Sequence, residues 1–336
     1  MEYLRPIPQI DPARPAGALP LAGGLGWFAQ VEVISRSAPA RLIAAADLPP
    51  EDALRLSAPR ANFAGLSLDR PRLMGILNIT PDSFSDGGLF LAPDAALMQA
   101  RRMAAGADII DIGGESTRPG AVEVSVEDEI QRTAPVIAAL RAGGLDGPIS
   151  IDTRKAGVAS AAFAAGASIL NDVTALQFDP AMAGMVAASG RPVILMHSIK
   201  TPATMQDDPQ YDNVLLDVYD ALSARVAEAV ASGIPRDLIA IDPGIGFGKT
   251  LAHNLALLAR LSLFHNIGLP VLLGASRKRF IGTIARQTDA VRRMPGSLAV
   301  ALAGAAQGAA MIRVHDVDET RQALTLWQAS MMGHEI

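Results

Sequence analysis

From residue 72 onward the chain repeats one pattern eight times: a short continuous apolar run, a polar residue or two, then a longer stretch of helical character. The runs lie at residues 73–77, 109–112, 149–151, 168–170, 193–196, 239–241, 271–273 and 310–312. A run that is apolar at every position, not at every second one, predicts a strand covered on both faces, as in a parallel sheet flanked by helices. Eight strand–helix units in about 265 residues match the usual size of a closed α/β (β/α)8 TIM barrel. Alternation alone does not show closure, so an open doubly wound sheet is the alternative.

Helix punctuation fits this rhythm. Ser125 followed by Asp128 resembles a capping box, and Asp179-Pro180 reads as a cap and first helical position with Gly190 as the stop. Asp316 is placed to cap the last helix, and Pro135 to kink the second. Residues 298–312, rich in Ala and Gly but holding Gln307, read as a buried helix running into a strand, not as a membrane span. Residues 1–70 stand apart as an N-terminal extension before the barrel of residues 71–336. They are rich in Pro, Ala and Leu, with one strand-like run at 31–34, and Pro49-Pro50 is expected to break any regular element. A packing or capping segment is the expectation for them.

Composition removes several chemistries. There is no cysteine, so disulfides, thiolate metal sites and cysteine nucleophiles are excluded. A net charge of −5 argues against a general nucleic-acid binder. No secretory or membrane-spanning segment is recognisable, so a cytoplasmic protein is expected. The five histidines form no metal-binding pair, and no Gly-x-Ser-x-Gly elbow occurs. Residues 242–250, Asp-Pro-Gly-Ile-Gly-Phe-Gly-Lys-Thr, resemble a P-loop, but the position of its first required glycine is Pro243.

Polar residues gather at the ends of the runs: Asn78, Asp111, Asp152 with Arg154, Asn171 with Asp172, His197, Asp242, Ser276 to Lys278, and Arg313 with His315. In a barrel these points share one face, the one on which active sites of this fold are built. Asp111, Asp152, Asp242 and Asn171 can face the centre, where buried carboxylates need hydrogen-bond donors or charge. Arg118, Lys278, Arg313 and His315 supply cations suited to phosphate or carboxylate. Taken singly, each is equally well explained by an internal ion pair. Together they favour a ligand with a donor-rich edge, such as a pterin, and an anionic tail. Ser85-Asp86-Gly87-Gly88 after the first strand is a plain loop or a flap over this face.

These segments resemble a known family. Residues 75–88, Gly-Ile-Leu-Asn-Ile-Thr-Pro-Asp-Ser-Phe-Ser-Asp-Gly-Gly, look like the first signature of the dihydropteroate synthases. Residues 111–120, Asp-Ile-Gly-Gly-Glu-Ser-Thr-Arg-Pro-Gly, look like the second. Shorter similar segments surround Asp152, Asn171, His197, Asp242, Lys278 and Arg313, in family order from residue 72 to about 330. The first 70 residues have no counterpart in the family core.

The resemblance implies an enzyme that condenses 6-hydroxymethyl-7,8-dihydropterin diphosphate with p-aminobenzoate. The pterin would lie against Asp111, Asp152, Asn171, Asp242 and Lys278, with Met196 on its ring. The diphosphate would meet Asn78, Arg313 and His315, with Asn78 the protein ligand of Mg2+. The p-aminobenzoate would lie beside Thr117, Arg118, Pro119, Phe247, Ser276 and Lys278. Asp152, Asp242 and Lys278 would carry the catalytic roles, and a homodimer is implied, with no nucleic-acid or membrane partner. Two places depart from the pattern: Ser198-Ile-Lys200, where a Met-x-Gly-like turn is expected, and Arg279, where the family varies between a small hydroxyl and a cation. A methyltransferase domain that moves a methyl group from a folate shares the pterin-edge residues. It should lack the Ser-Thr-Arg-Pro and Ser-Arg-Lys segments, both present here. A silent pterin-binding paralogue would be favoured by loss of Arg118, Lys278 or Arg313, and all three are intact.

Overall fold

The computed structural model describes residues 1–79, 92–116, 123–199 and 209–333. The Ser85–Gly88 stretch, Thr117, Arg118, Pro119 and Lys200 lie outside the described residues. Eight parallel strands form the barrel: β6 (Arg72–Asn78), β7 (Ile109–Gly113), β8 (Ile149–Asp152), β9 (Ile169–Asp172), β10 (Val193–Met196), β11 (Ile239–Asp242), β12 (Leu272–Leu273) and β13 (Met311–Val314). Each pairs with its neighbour in sequence, and β13 pairs with β6. A parallel bridge between Ile241 and Val271 joins β11 to β12 and closes the ring. The open-sheet alternative is therefore excluded.

Several strands run one or two residues beyond their apolar runs. Asp152, Asn171, Asp172, Asp242 and Arg313, read from sequence as following their strands, lie inside them, at or next to the last residue. An apolar run marks only the part of a strand that is buried in hydrocarbon. The backbone ladder continues under polar side chains that line the barrel mouth.

The helices between the strands are α2 (Ala92–Ala104), α3 (Val126–Ala142), α4 (Ala156–Ala165), α5 (Met182–Ser189), α6 (Val214–Ala231), α7 (Leu251–Ala259), α8 (Arg279–Ile284), α9 (Met294–Ala306) and α10 (Val317–Met332). Ser125 caps α3 through the Asp128 N–H at 3.0 Å, and Pro135 lies inside α3 without ending it. Two sequence expectations need correction. The helix expected after Asp179-Pro180 begins at Met182, because the Asp179 carboxylate is taken by the Ala181 and Ala156 N–H groups. Asp316 precedes α10 but makes no side-chain cap; its carboxylate is bound by Arg277. No helix among the described residues is long and apolar enough to cross a membrane.

Ahead of the barrel, β1 (Glu2–Pro6), β4 (Gln30–Ser35) and β5 (Arg41–Ala44) form an antiparallel sheet, with β2 (Leu19–Pro20) paired to β3 (Trp27–Phe28). Pro49-Pro50 does not break structure here. It opens helix α1 (Pro50–Ser57), since proline at a first helical position forfeits only an N–H that has no intrahelical partner. Leu4, Leu21, Phe28, Val31, Val33 and Leu56 make a small core of their own. This unit docks on α6 and on the buried turn Leu261–Ile267. The Tyr3 hydroxyl donates to Asp220 at 2.9 Å, and the Ser262 hydroxyl donates to the Pro6 carbonyl at 2.8 Å.

Residues 63–68 form the barrel floor. Phe63 and Leu68 pack with Met74, Ile109, Ile169, Ile194, Leu272 and Met311, the inward residues at the strand starts. Phe63 is fully buried, so Phe63→Ala is expected to lower stability by about 3–5 kcal/mol. Urea unfolding measures that loss. A change in kcat as large as the stability loss would contradict the separation of floor from mouth.

Candidate active site

The barrel interior is layered by the two-residue strand period. Ile109, Ile169, Ile194, Ala240 and Met311 belong to the lower apolar layer. Two residues further along the same strands come Asp111, Asn171, Met196, Asp242 and Arg313. The period that builds the apolar layer therefore aims these five side chains into the mouth.

Four side chains there form one cluster. Asp111, fully buried, accepts hydrogen bonds from Asn171 Nδ2 at 3.3 Å and from Arg313 Nε at 2.6 Å. Arg313 Nη2 donates to Asp152 at 2.7 Å. One guanidinium thus spans two carboxylates on strands β7 and β8. Burial pushes Asp152 up to about 7, against the opposing pull of Arg313, while Asp111 adds to the rise. Burial also works against the charge on Arg313, but the two aspartates hold its proton more firmly than usual. The second oxygens of Asp111 and Asp152, both Oδ1, have no protein donor among the described residues. Each is an acceptor that a ligand N–H can satisfy.

A second group gathers around Asp242, whose Oδ1 accepts the Gly244 N–H at 2.7 Å. Lys278 Nζ donates to the Ile245 carbonyl and lies 4.4 Å from the centre of the Phe247 ring. Burial lowers Lys278 to about 8, with Asp242 opposing the drop, and burial raises Asp242, with Lys278 opposing. Gly244 and Gly246 serve close approach. Gly244 has φ +68, and a Cβ there would stand 2.0 Å from the His197 carbonyl oxygen. Gly246 has φ +85, and its Cβ would meet Lys278 Cδ at 2.8 Å.

Ser276 and His315 meet beyond the ends of strands β12 and β13. The Ser276 Oγ accepts the His315 N–H at 3.2 Å and lies 3.0 Å from His315 Nδ1. Between Ser276 and Lys278, Arg277 adopts φ 58, a left-handed conformation rare for a side chain of this size. Three contacts hold it: its N–H on Ser297 at 2.8 Å, its guanidinium on Asp316, and its carbonyl under Arg293 at 3.0 Å. Strain fixed by so many partners belongs to a turn that must aim its neighbours, Ser276 and Lys278.

Sequence reasoning missed Lys249 as a site residue. It is buried, and its Nζ donates to the Phe247 carbonyl at 2.9 Å and lies 3.0 Å from His197 Nδ1. With Lys249 protonated, Nδ1 is the acceptor and the imidazole proton sits on Nε2. Burial, then Lys249, lowers His197 to about 3, so the ring is neutral. Burial lowers Lys249 itself to about 7, against Asp242. The available signal was its position: a lysine directly after a tight glycine turn and before the cap residue Thr250 has little room to reach solvent.

The mouth therefore offers carboxylates and an amide for a donor-rich ring, beside cations for an anion. The profile of the family described as "Pterin binding enzyme" matches residues 74–315. The dihydropteroate synthase of Escherichia coli (strain K12) is 46% identical over 276 residues, 82% of this chain and 97% of that protein. A Xanthomonas albilineans dihydropteroate synthase solved with 4-aminobenzoic acid superposes with a TM-score of 0.76 at 48% identity, covering 81% of this chain and 98% of that one. The same organism's enzyme in complex with 7,8-dihydropteroate gives a TM-score of 0.73 at 45% identity, with the same coverage. On the barrel, the mouth and these matches together, the chain belongs to the pterin-binding enzymes, among the dihydropteroate synthases.

Proposed function

We propose that the strand ends of this barrel carry the dihydropteroate synthase reaction through Asp152, Asp242 and Lys278. As a member of that family the chain is a transferase of folate biosynthesis. It joins 6-hydroxymethyl-7,8-dihydropterin diphosphate to p-aminobenzoate, giving 7,8-dihydropteroate and diphosphate. The observation that carries the residue roles is the cluster of Asp111, Asn171, Asp152 and Arg313. Asp111 and Asp152 accept from the amino and ring N–H groups of the pterin, and Asn171 and Lys278 donate to its carbonyl and ring nitrogens. Met196 packs on the ring. Arg313 turns Nε and Nη2 to the carboxylates and keeps Nη1 for the diphosphate, beside His315.

The bond from the pterin methylene to the diphosphate oxygen breaks first, and its electrons leave with the diphosphate. The methylene becomes a delocalised cation, which Asp152 and Asp242 stabilise in their ionised forms from fixed, buried positions. The p-aminobenzoate nitrogen then bonds to the methylene carbon and loses a proton. An arylamine is already nucleophilic, so no strong base is assigned. Thr117, Arg118, Pro119, Phe247, Ser276 and Lys278 hold the p-aminobenzoate.

Asn78 would hold Mg2+. It ends β6, and a Cβ on Gly113 would lie 3.6 Å from both Asn78 Oδ1 and Asp152 Cβ, so the amide oxygen and Asp152 flank the same glycine. Among the described residues no group of three His, Asp or Glu is set to hold a metal. A single amide oxygen suits a hard cation held mainly by substrate phosphates and water. When bound, Mg2+ would offset the charge of the departing diphosphate. A homodimer follows from the same family reading and is checked by sedimentation velocity.

The direct test is pyrophosphate release from the pterin diphosphate with Mg2+, with and without p-aminobenzoate. Turnover that needs the arylamine and yields dihydropteroate supports these roles; binding without product overturns them. A pH profile tests Lys278 separately. An ammonium held near 8 is lost as pH rises through that value, so kcat/KM should fall above about pH 8. Lys278→Arg should remove that limb, because a guanidinium keeps its charge. An unchanged limb in that variant would assign it to another group.

A further inference from the structure

The turn of residues 243–248, between β11 and α7, is gripped by two lysines. Lys278 Nζ donates to the Ile245 carbonyl, and Lys249 Nζ donates to the Phe247 carbonyl at 2.9 Å. Glycines leave room for both: a Cβ on Gly246 would meet Lys278, and a Cβ on Gly244 would stand 3.3 Å from Lys249 Nζ. Two further side chains hold the same turn. Asn254 Oδ1 accepts the Gly246 N–H at 2.6 Å, and the Tyr211 hydroxyl donates to the Gly248 carbonyl at 2.9 Å. Lys249 adds a link to the neighbouring strand. Its Nζ also donates to the His197 carbonyl at 3.4 Å and lies 3.0 Å from His197 Nδ1, so it joins the Phe247 backbone to the end of β10. Phe247 is thus held at its carbonyl by Lys249, while its ring lies 4.4 Å from Lys278 Nζ.

A lysine is a costly residue to place here. Lys249 is 3% exposed, and its hydrogen-bond partners among the described residues are two carbonyls and an imidazole, with no carboxylate. Burial opposes its charge, Asp242 favours it and Lys278 opposes it. A buried ammonium without a paired carboxylate works against folding, and a methionine of similar length would fill the space at less cost. A charge kept against the interest of stability, with all its N–H groups supplied with acceptors, points to a group that fixes geometry.

We infer that Lys249 is a positioning residue for Phe247: by tying the Phe247 carbonyl to His197, it sets where the Phe247 ring stands beside Lys278, and so the wall on which the ring of p-aminobenzoate packs. This rests on the reading that Phe247 holds the arylamine. Lys249 also faces Asp242. Burial raises Asp242, and Lys278 and then Lys249 oppose the rise. An effect of Lys249 through that carboxylate is a separate route, and the experiment divides the two.

The experiment is a double-mutant cycle on the full chain, read as kcat and as KM for each substrate, in variants shown by circular dichroism to be folded. Lys249→Met is expected to raise KM for p-aminobenzoate about tenfold, with kcat within about threefold of the parent. In the Phe247→Ala background the same substitution should raise that KM by less than about twofold, because the group it positions is already gone. Lys249→Gln keeps an N–H donor for the carbonyl without the charge. It should be less impaired than Lys249→Met, and it takes that variant's place in the cycle if Lys249→Met does not fold. Equal impairment of the two would assign the effect to charge and overturn the inference. So would an equal rise of KM in both backgrounds, or a fall in kcat with that KM unchanged, since either assigns the effect to Asp242 or to the fold at large. If Phe247→Ala raises KM for p-aminobenzoate and Lys249→Met leaves it within about twofold, Lys249 is only structural. If Phe247→Ala itself leaves that KM unchanged, the reading of Phe247 fails, and the inference with it.

Discussion

Arg313→Met is expected to abolish turnover and to lower stability by about 3–5 kcal/mol near pH 8, the usual loss when one partner of a buried ion pair is removed. The side chain is 19% exposed and spans Asp111 and Asp152, so its removal strands two buried carboxylates at once. The sign of the pH dependence is set by Asp152. Burial already holds its pKa near 7 with Arg313 opposing, and removing Arg313 raises it further. A carboxyl whose folded pKa lies above its unfolded value binds more protons in the native state across that window, so stability falls as pH rises. The variant should therefore be closest to the parent near pH 5 and furthest from it near pH 8. Urea unfolding at the two pH values measures this, and a deficit independent of pH would show that the loss is packing and not charge. Asp111→Asn in the same background should recover part of the stability and none of the activity.

Asp152→Asn should lower kcat by about 10²–10³, the range for losing one preorganised electrostatic group in a site closed to water. Asparagine keeps the size and an oxygen for Arg313 but not the charge proposed to stabilise the pterin cation. KM for the pterin diphosphate should change much less than kcat, since the full charge develops only after the diphosphate begins to leave. Stability should move the other way with pH. In the parent, native Asp152 binds a proton more readily than unfolded Asp152 between about pH 4 and pH 7, so the parent loses stability across that window. Asparagine has no such slope, so the variant should gain on the parent as pH rises through 7. A kcat within about threefold of the parent would remove Asp152 from the catalytic role.

Much of this site was legible in the sequence because a parallel barrel writes itself locally. A strand covered on both faces must be apolar throughout, and its last inward residue must face the mouth, so Asp111, Asn171, Asp242 and Arg313 could be found from where hydrophobicity stops. Glycine spacing alone denied residues 242–250 a phosphate-binding role, and the close approaches at Gly244 and Gly246 give the reason those glycines are there. Helix starts were less legible. Asp179 and Asp316 are good cap residues by type, but each spends its carboxylate on a partner from another part of the chain. Pro49-Pro50 read as a break because proline both ends and begins helices, and only the residues that follow it decide which.

The sequence by itself determined the eight strands and the polar side chains at their ends, since both follow from burial on both sides of a sheet and from where that burial stops. Only the tertiary structure decided which of those side chains touch. That Arg313 spans Asp111 and Asp152 across 202 and 161 residues of chain, and that Lys249 holds His197, depend on where strands far apart in sequence come to lie. Ring closure fixes those neighbours, and no local pattern encodes it. The same holds for the protonation of Asp152 and Lys278, because burial and the nearest opposite charge exist only once the barrel has closed.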